Sequence, residues 1–231
     1  KIDAVFIITD PRYFEWLFQI ENEIRKTTPI IYLNIWDNYP APSYNKEFYE
    51  SCDALLGISK QTTNINKLVL REKADGKVID YIPHGVSSKY YFPIKKDNSE
   101  LVEFRNQLLG GKEKEFVLLF NSRNIRRKSI PDTMFAWKCF IDKLSKEEAD
   151  KCALVLHTQP IDDNGTDLLA VKDYLFGSDY EDIIFSTSRL PINHMNLLYN
   201  SSDAQILLSS NEGWGLSLTE ALLVGNPIIA N

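Results

Sequence analysis

The chain has 231 residues, 44% hydrophobic and 25% charged, with a formal net charge of −6, the composition of a globular protein of one large or two modest domains. Arg126-Arg127-Lys128 is its one dense basic cluster, too short for a nucleic-acid face, and no apolar run approaches the ~20 residues of a membrane span. Cys52, Cys139 and Cys152 are odd in number, fit no metal spacing and read as reduced, buried thiols.

In chain order, Asp3 to Thr9 reads as a strand whose continuous apolar run Ala4–Ile8 implies cover on both faces. Pro11 suits the first turn of a helix to about Lys26, with Phe14, Leu17, Phe18 and Ile24 at helical spacing. Ile30–Ile35 is a second strand and Tyr44–Cys52 a short helix. Ala54–Ile58 is a third strand, and Ser59 caps a helix to about Lys73. Val78–Ile82 is a fourth strand. Asn34-Ile-Trp-Asp37 follows the second strand, at the carboxyl end where parallel sheets place ligands; Asp37 is a candidate contact or a plain loop aspartate.

Pro83 and Gly85 make a turn, and Ser99–Leu109 is a charged amphipathic helix ended by Gly110-Gly111. Phe116–Phe120 is a strand that empties into Asn121-Ser-Arg-Asn-Ile-Arg-Arg-Lys128, and Pro131 opens the next helix. Four cations in one strand-to-helix loop suit an anionic ligand, although a solvated basic loop fits too. Ala153–His157 is a strand, Asp162–Thr166 a polar turn and Asp167–Phe176 a helix; Asp162-Asp163 lacks a third metal ligand. Ile183–Phe185, Pro191–Asn200 and Ala204–Leu208 are strand, helix and strand, with His194 a surface histidine. Strands alternating with helices give a parallel, doubly wound α/β architecture.

The last stretch, NEGWGLSLTEALLVGNPIIAN (211–231), reads as loop, helix, turn and strand. Ser217 and Glu220 have capping-box spacing, which starts the helix at Ser217 or Leu218. Gly213 and Gly215 let a ligand approach the backbone, and the first amides of the helix are open to a diphosphate. From the residues alone, Glu220 could equally be only a cap and Glu212 only a solvated loop residue.

Glu-Gly-Trp-Gly-Leu-Ser-Leu-Thr-Glu-Ala (212–221) followed by Gly-Asn-Pro-Ile-Ile-Ala (225–230) resembles the E-x7-E motif of retaining glycosyltransferases of the GT-B fold, family four (glycosyl transferases group 1) in particular. The resemblance assigns Glu212 to the donor sugar and Glu220 to the nucleotide ribose. It gives the diphosphate to the amides of the turn through Gly213, Trp214, Gly215, Leu216, Ser217 and Thr219. The basic loop resembles the family's Gly-Arg…Arg-Lys-Gly loop, so Arg123 and Lys128 match its diphosphate-neutralising cations; Ser122 and Ser129 stand where glycine is usual. Thr187–Leu190, with Arg189 and Leu190, matches the region that holds the base, Asp37 the acceptor side, and Ile-Pro-His-Gly-Val (82–86) the interdomain Pro-Asn-Gly-Val signature with His84 for asparagine.

The resemblance implies two Rossmann-like doubly wound domains facing a cleft: an acceptor-side domain at 1–83, a linker and helix at 84–111, and a donor-binding domain at 112–231. Both domains are expected to be incomplete, since no glycine-rich loop precedes Lys1 and the chain stops one strand after the motif. The piece is then expected to expose apolar surface on Ala4–Ile8 and Ile228–Ala230 and to transfer little. The implied reaction moves a sugar from a UDP- or GDP-linked donor to a glycan, lipid or other hydroxyl with retention. It needs no metal or cofactor, and Glu212, Arg123 and Lys128 carry the catalysis. No nucleic-acid partner is expected; the implied setting is cytoplasmic, with room for a peripheral membrane contact. A non-catalytic nucleotide-sugar-binding domain and a phosphorylase or epimerase are the alternatives on this fold.

Overall fold

The apolar runs all become strands, and every strand pairing is parallel. The computed structural model describes residues 2–231. It divides into two units: the stretch up to Gly85 together with Asn211–Trp214, and Val86–Ser210 together with Gly215–Asn231.

In the first unit β1 (Val5–Ile8), β2 (Ile30–Asn34), β3 (Ala54–Gly57) and β4 (Val78–Tyr81) lie in consecutive order. Ile7, Tyr32, Leu55 and Ile79 are in register on one face and pack with Leu17, Tyr49, Ile65, Val69 and Leu70. Right-handed crossovers between consecutive parallel strands place the connections on one side of the sheet. On the edge strands the other row is accordingly open, with Phe6 53% and Val78 61% exposed against 2% for Ile7, although Leu33 of β2 is buried. The two-sided cover expected for Ala4–Ile8 is thus absent among the described residues. Ser59 caps the helix Lys60–Leu70 as expected, accepting from the Thr62 amide at 3.1 Å. The single helix expected from Pro11 to Lys26 breaks into a 3-10 turn, Pro11–Phe14, and two short helices, Glu15–Phe18 and Glu21–Ile24. Of these, only Pro11 and Leu17 are buried, too little packing to hold one continuous helix.

In the second unit β5 (Phe116–Asn121), β6 (Cys152–His157), β7 (Ile183–Ser186), β8 (Ala204–Leu207) and β9 (Ile228–Ala230) run in the order β7-β6-β5-β8-β9. The chain leaves β5 for β6 and β7, then returns to the other side of β5, which makes the β5–β8 boundary a topological switch point. Both faces of β5, β6 and β8 are covered, whereas β9 is exposed, with Ile228 at 36% and Ile229 at 47%, as expected for Ile228–Ala230. Leu118, Phe120, Leu154, Leu156 and Ile206 pack with Ile130, Met134, Trp137 and Leu168. Val117, Leu119, Ala153 and Val155 pack with Tyr91, Leu198, Tyr199, Ala221 and Val224. Two-sided burial is why these strands read as unbroken apolar runs. A helix not read from the sequence, Lys146–Asp150, is held by a capping box between Ser145 and Glu148. Cys52 and Cys152 are buried, and burial pushes the Cys52 thiol up to about 12; Cys139 is exposed, contrary to the expectation of three buried thiols.

Candidate functional site

β5, β6 and β7 end in register at Asn121, His157 and Ser186. Beyond these carboxyl ends lies a cavity of about 310 Å³ whose walls include Asn121, Arg123, His157, Thr158, Gln159, Ser186 and Arg189. His157 Nδ1 and Ser186 Oγ are 2.9 Å apart, and Gln159 Nε2 donates to the Thr187 carbonyl at 2.7 Å. The Thr158 hydroxyl is buried and has no hydrogen-bond partner among the described residues. Burial holds the His157 imidazole below its ordinary range, which favours the neutral ring. The cavity therefore offers hydroxyl, amide and imidazole groups beside two guanidinium side chains.

The basic loop is built onto a neighbouring turn. Asn124, only 2% exposed, donates to the carbonyls of Pro160 at 3.2 Å and Thr166 at 2.7 Å, and the Arg126 amide donates to the Asn164 carbonyl at 3.1 Å. Gly165 is needed there: a β-carbon would lie 2.3 Å from Asn124 Oδ1. Arg123 Nε donates to Asp162 Oδ2 at 2.8 Å, and this bond holds the Asp162 carboxyl below the usual range. Asp162 of the acidic pair thus serves a cation of the protein. Among the described residues no group of three His, Cys, Asp or Glu could hold a metal ion. Lys128 is 7% exposed in the 3-10 turn Arg126–Lys128. Ser129 follows with φ +46°, the left-handed region that suits the glycine usual in the resembling loop. The Ser210 amide donates to the Arg127 carbonyl at 2.8 Å, so the loops after β5 and β8 meet at the switch point.

The helix of the E-x7-E stretch runs Leu216–Leu223, with Gly215 before it at φ +79° and no side-chain cap. The Ser217–Glu220 capping box is therefore not formed. The helix starts two residues earlier than that spacing requires, with Gly215 in place of Ser217 at its N-cap, and the Glu220 carboxylate accepts from the Tyr199 hydroxyl instead. Tyr199 Oη in turn accepts from Asn121 Nδ2 at 2.7 Å, which connects Glu220 to the cavity wall. Tyr91 packs edge-on against Tyr199, with centroids 5.8 Å apart. Burial first, and then the Glu220 charge, raises both phenols.

Glu212, Gly213 and Trp214 belong with the first unit, whereas Gly215 to Glu220 belong with the second. Gly213 approaches the loop after β2 so closely that a β-carbon would lie 2.5 Å from Ile58 Cδ1, 3.3 Å from the Ile35 carbonyl oxygen and 3.7 Å from Asp37 Cβ. Two sequence candidates 176 residues apart, Asp37 and Gly213, are neighbours there. Trp214 keeps its indole N–H buried without a hydrogen-bond partner among the described residues. Arg189 lines the cavity, while Leu190 is partly buried and packs against the core that holds Leu119 and Val155. The sequence reading missed His157, Thr158, Gln159, Tyr91 and Tyr199. The carboxyl-end position of the first three could have pointed to them; the tyrosines carry no local signal.

Neither a family model nor a curated protein sequence matches the chain. Solved structures do. The N-terminal domain of trehalose-6-phosphate phosphatase from Candida albicans is similar at a TM-score of 0.72 and 14% identity, covering 100% of this chain and 56% of its own. Sucrose-phosphate synthase from Thermosynechococcus elongatus reaches 0.68 at 17% identity, over 98% of this chain and 55% of its own. The UDP-forming alpha,alpha-trehalose-phosphate synthase of Burkholderia xenovorans, solved in complex with glucose-6-phosphate, reaches 0.68 at 12% identity, over 99% and 58%. The chain thus spans somewhat more than half the length of these proteins. At such identities the likeness shows the fold, the GT-B type with Rossmann-like parallel-sheet units that the sequence led us to expect.

Proposed function

We propose that this chain belongs to a glycosyltransferase that moves a sugar from a UDP- or GDP-linked donor to a glycan, lipid or other hydroxyl acceptor, with retention of configuration. The observation that carries the reading is the cavity at the carboxyl edge of β5–β7, with Arg123 and Arg189 in its wall and Glu220 joined to it through Tyr199 and Asn121. Two of the similar structures are synthases of sugar phosphates, and one is named as UDP-forming.

In this reading the nucleotide lies along the sheet edge, its base near Thr187–Leu190 and its ribose on Glu220. Negative charge grows on the leaving diphosphate as the glycosidic bond breaks. Arg123, Lys128 and the open amides of Leu216 and Ser217 stabilise it, and preorganised charge of this kind is typically a dominant catalytic term. No metal is required for that step. Glu212 contacts the donor sugar, and Asp37 lies on the acceptor side. The three free cysteines support a reducing, cytoplasmic setting. No helix among the described residues is long and apolar enough to cross a membrane.

The test is to incubate the chain with nucleotide sugars and candidate acceptors and to follow release of UDP or GDP in the presence of a chelator. Release that depends on an acceptor supports the proposal. Binding without release points to a non-catalytic sugar-nucleotide module, and dependence on inorganic phosphate points to a phosphorylase.

A further inference from the structure

We propose that Tyr199 is a positioning residue: it fixes the Glu220 carboxylate and locks it to the wall of the nucleotide cavity. The proposal rests on reading Glu220 as the ribose contact.

The direction of the hydrogen bonds carries it. Asn121 Nδ2 donates to Tyr199 Oη at 2.7 Å, so the phenol oxygen is the acceptor there. A phenol has one hydrogen, and it goes to Glu220 Oε2. The order amide to phenol to carboxylate has one sense, set at its far end by a side chain that also lines the cavity. Tyr199 is 0% exposed, and its ring is wedged against Tyr91 at 5.8 Å, so the hydroxyl has nowhere else to go. Glu220 lies on Leu216–Leu223 and Tyr199 on Ile192–Asn200, so the bond also pins one helix to the other. A carboxylate accepts at about four lone-pair positions, which leaves capacity for the paired hydroxyls of a ribose. A glutamate on a half-buried helix face would otherwise sample several rotamers, and the phenol selects one before any ligand arrives.

The experiment compares UDP with 2′,3′-dideoxy-UDP, and GDP with its dideoxy form, on the 231-residue chain and on Tyr199→Phe and Glu220→Gln. Tyr199→Phe keeps the ring and loses only the hydroxyl. The expected result is a roughly tenfold loss of affinity for the ribonucleotide, the size of one charge-assisted hydrogen bond, with dideoxynucleotide binding nearly unchanged. A merely structural tyrosine would weaken both nucleotides alike. If Glu220→Gln loses the preference for the ribonucleotide while Tyr199→Phe keeps it, the positioning role is overturned and the ribose reading stands. If Glu220→Gln keeps the preference, the ribose reading itself fails. Should Tyr199→Phe not fold, Asn121→Ala carries the same readout, a collapse of the ribo-to-dideoxy ratio being expected and an unchanged ratio contradicting the proposal.

Discussion

Asp162 holds Arg123: Nε to Oδ2 is 2.8 Å and Nη2 to Oδ1 is 3.1 Å, a two-point ion pair between loops 39 residues apart. The guanidinium that the family resemblance assigns to a diphosphate thus already has an anionic partner, with which such a ligand would compete. The pair is largely solvent-exposed on the arginine side, at 64%, so breaking it is cheap. Asp162→Asn should therefore tighten binding of UDP or GDP by roughly two- to fivefold, and most at low salt. Calorimetric titration of wild type and variant checks this; weaker binding in the variant would show that Asp162 supports the ligand instead of competing with it.

Arg123 and Lys128 are assigned one role but sit in different surroundings. Arg123→Ala should slow turnover on the order of tenfold to a thousandfold and leave the melting temperature nearly unchanged, because the side chain is exposed. Lys128 is 7% exposed and engaged by neighbours, so Lys128→Ala should lose both activity and stability. Turnover and thermal unfolding of the two variants, measured side by side, give the split; equal melting temperatures would contradict it.

His157 supplies a pH dependence. Burial puts its pKa in the folded state below the unfolded value of 6.5. The stability tied to the neutral ring is then fully present above pH 6.5 and is lost as pH falls through the folded pKa. Denaturant midpoints between about pH 5 and 7.5 should fall with acidity more steeply for wild type than for His157→Gln, in a range where carboxylates stay mostly ionised. Parallel curves would mean that the ring is not held neutral.

Gly213 tests the local geometry. An alanine there would place its β-carbon 2.5 Å from Ile58 Cδ1, inside a site where Ile58 is itself 2% exposed. Gly213→Ala should destabilise by about 1–3 kcal/mol, as overpacking does. Gly215→Ala should cost about 1 kcal/mol for a different reason, its φ of +79°, since the nearest atom to its β-carbon is at an ordinary 3.4 Å. Chemical denaturation distinguishes the two; the reverse order would contradict the packing argument.

Much of the fold could be read from the residues. Leu118, Leu154 and Ile206 sit in apolar runs that two-sided burial requires, and Ser59 caps a helix where its spacing predicts. The apolar run Ala4–Ile8 has no cover on its second face among the described residues, and its exposed Phe6 and Ile8 match the apolar surface expected there; continuous hydrophobicity alone does not say whether a neighbour covers that face. At the site, Arg123, Arg189 and Glu220 were legible through the motifs that contain them. Tyr199 was not, since its partner is set by the packing of two helices and not by spacing along the chain. Ser217 misled for a related reason: tertiary contacts gave the Glu220 carboxylate a better donor than its own helix end, and the expected capping box lost to it.

The most direct test of the central claim is thermal unfolding of the 231-residue chain against UDP- and GDP-sugars without added metal, on wild type and Glu220→Gln. A donor that binds only the folded state stabilises it by about 2.7 kcal/mol at a hundredfold excess over Kd. The account predicts that one class of nucleotide sugar raises the melting temperature of wild type in this way and raises that of Glu220→Gln far less at the same concentration. No stabilisation by any nucleotide sugar up to millimolar concentration, or equal stabilisation of both proteins, would contradict it.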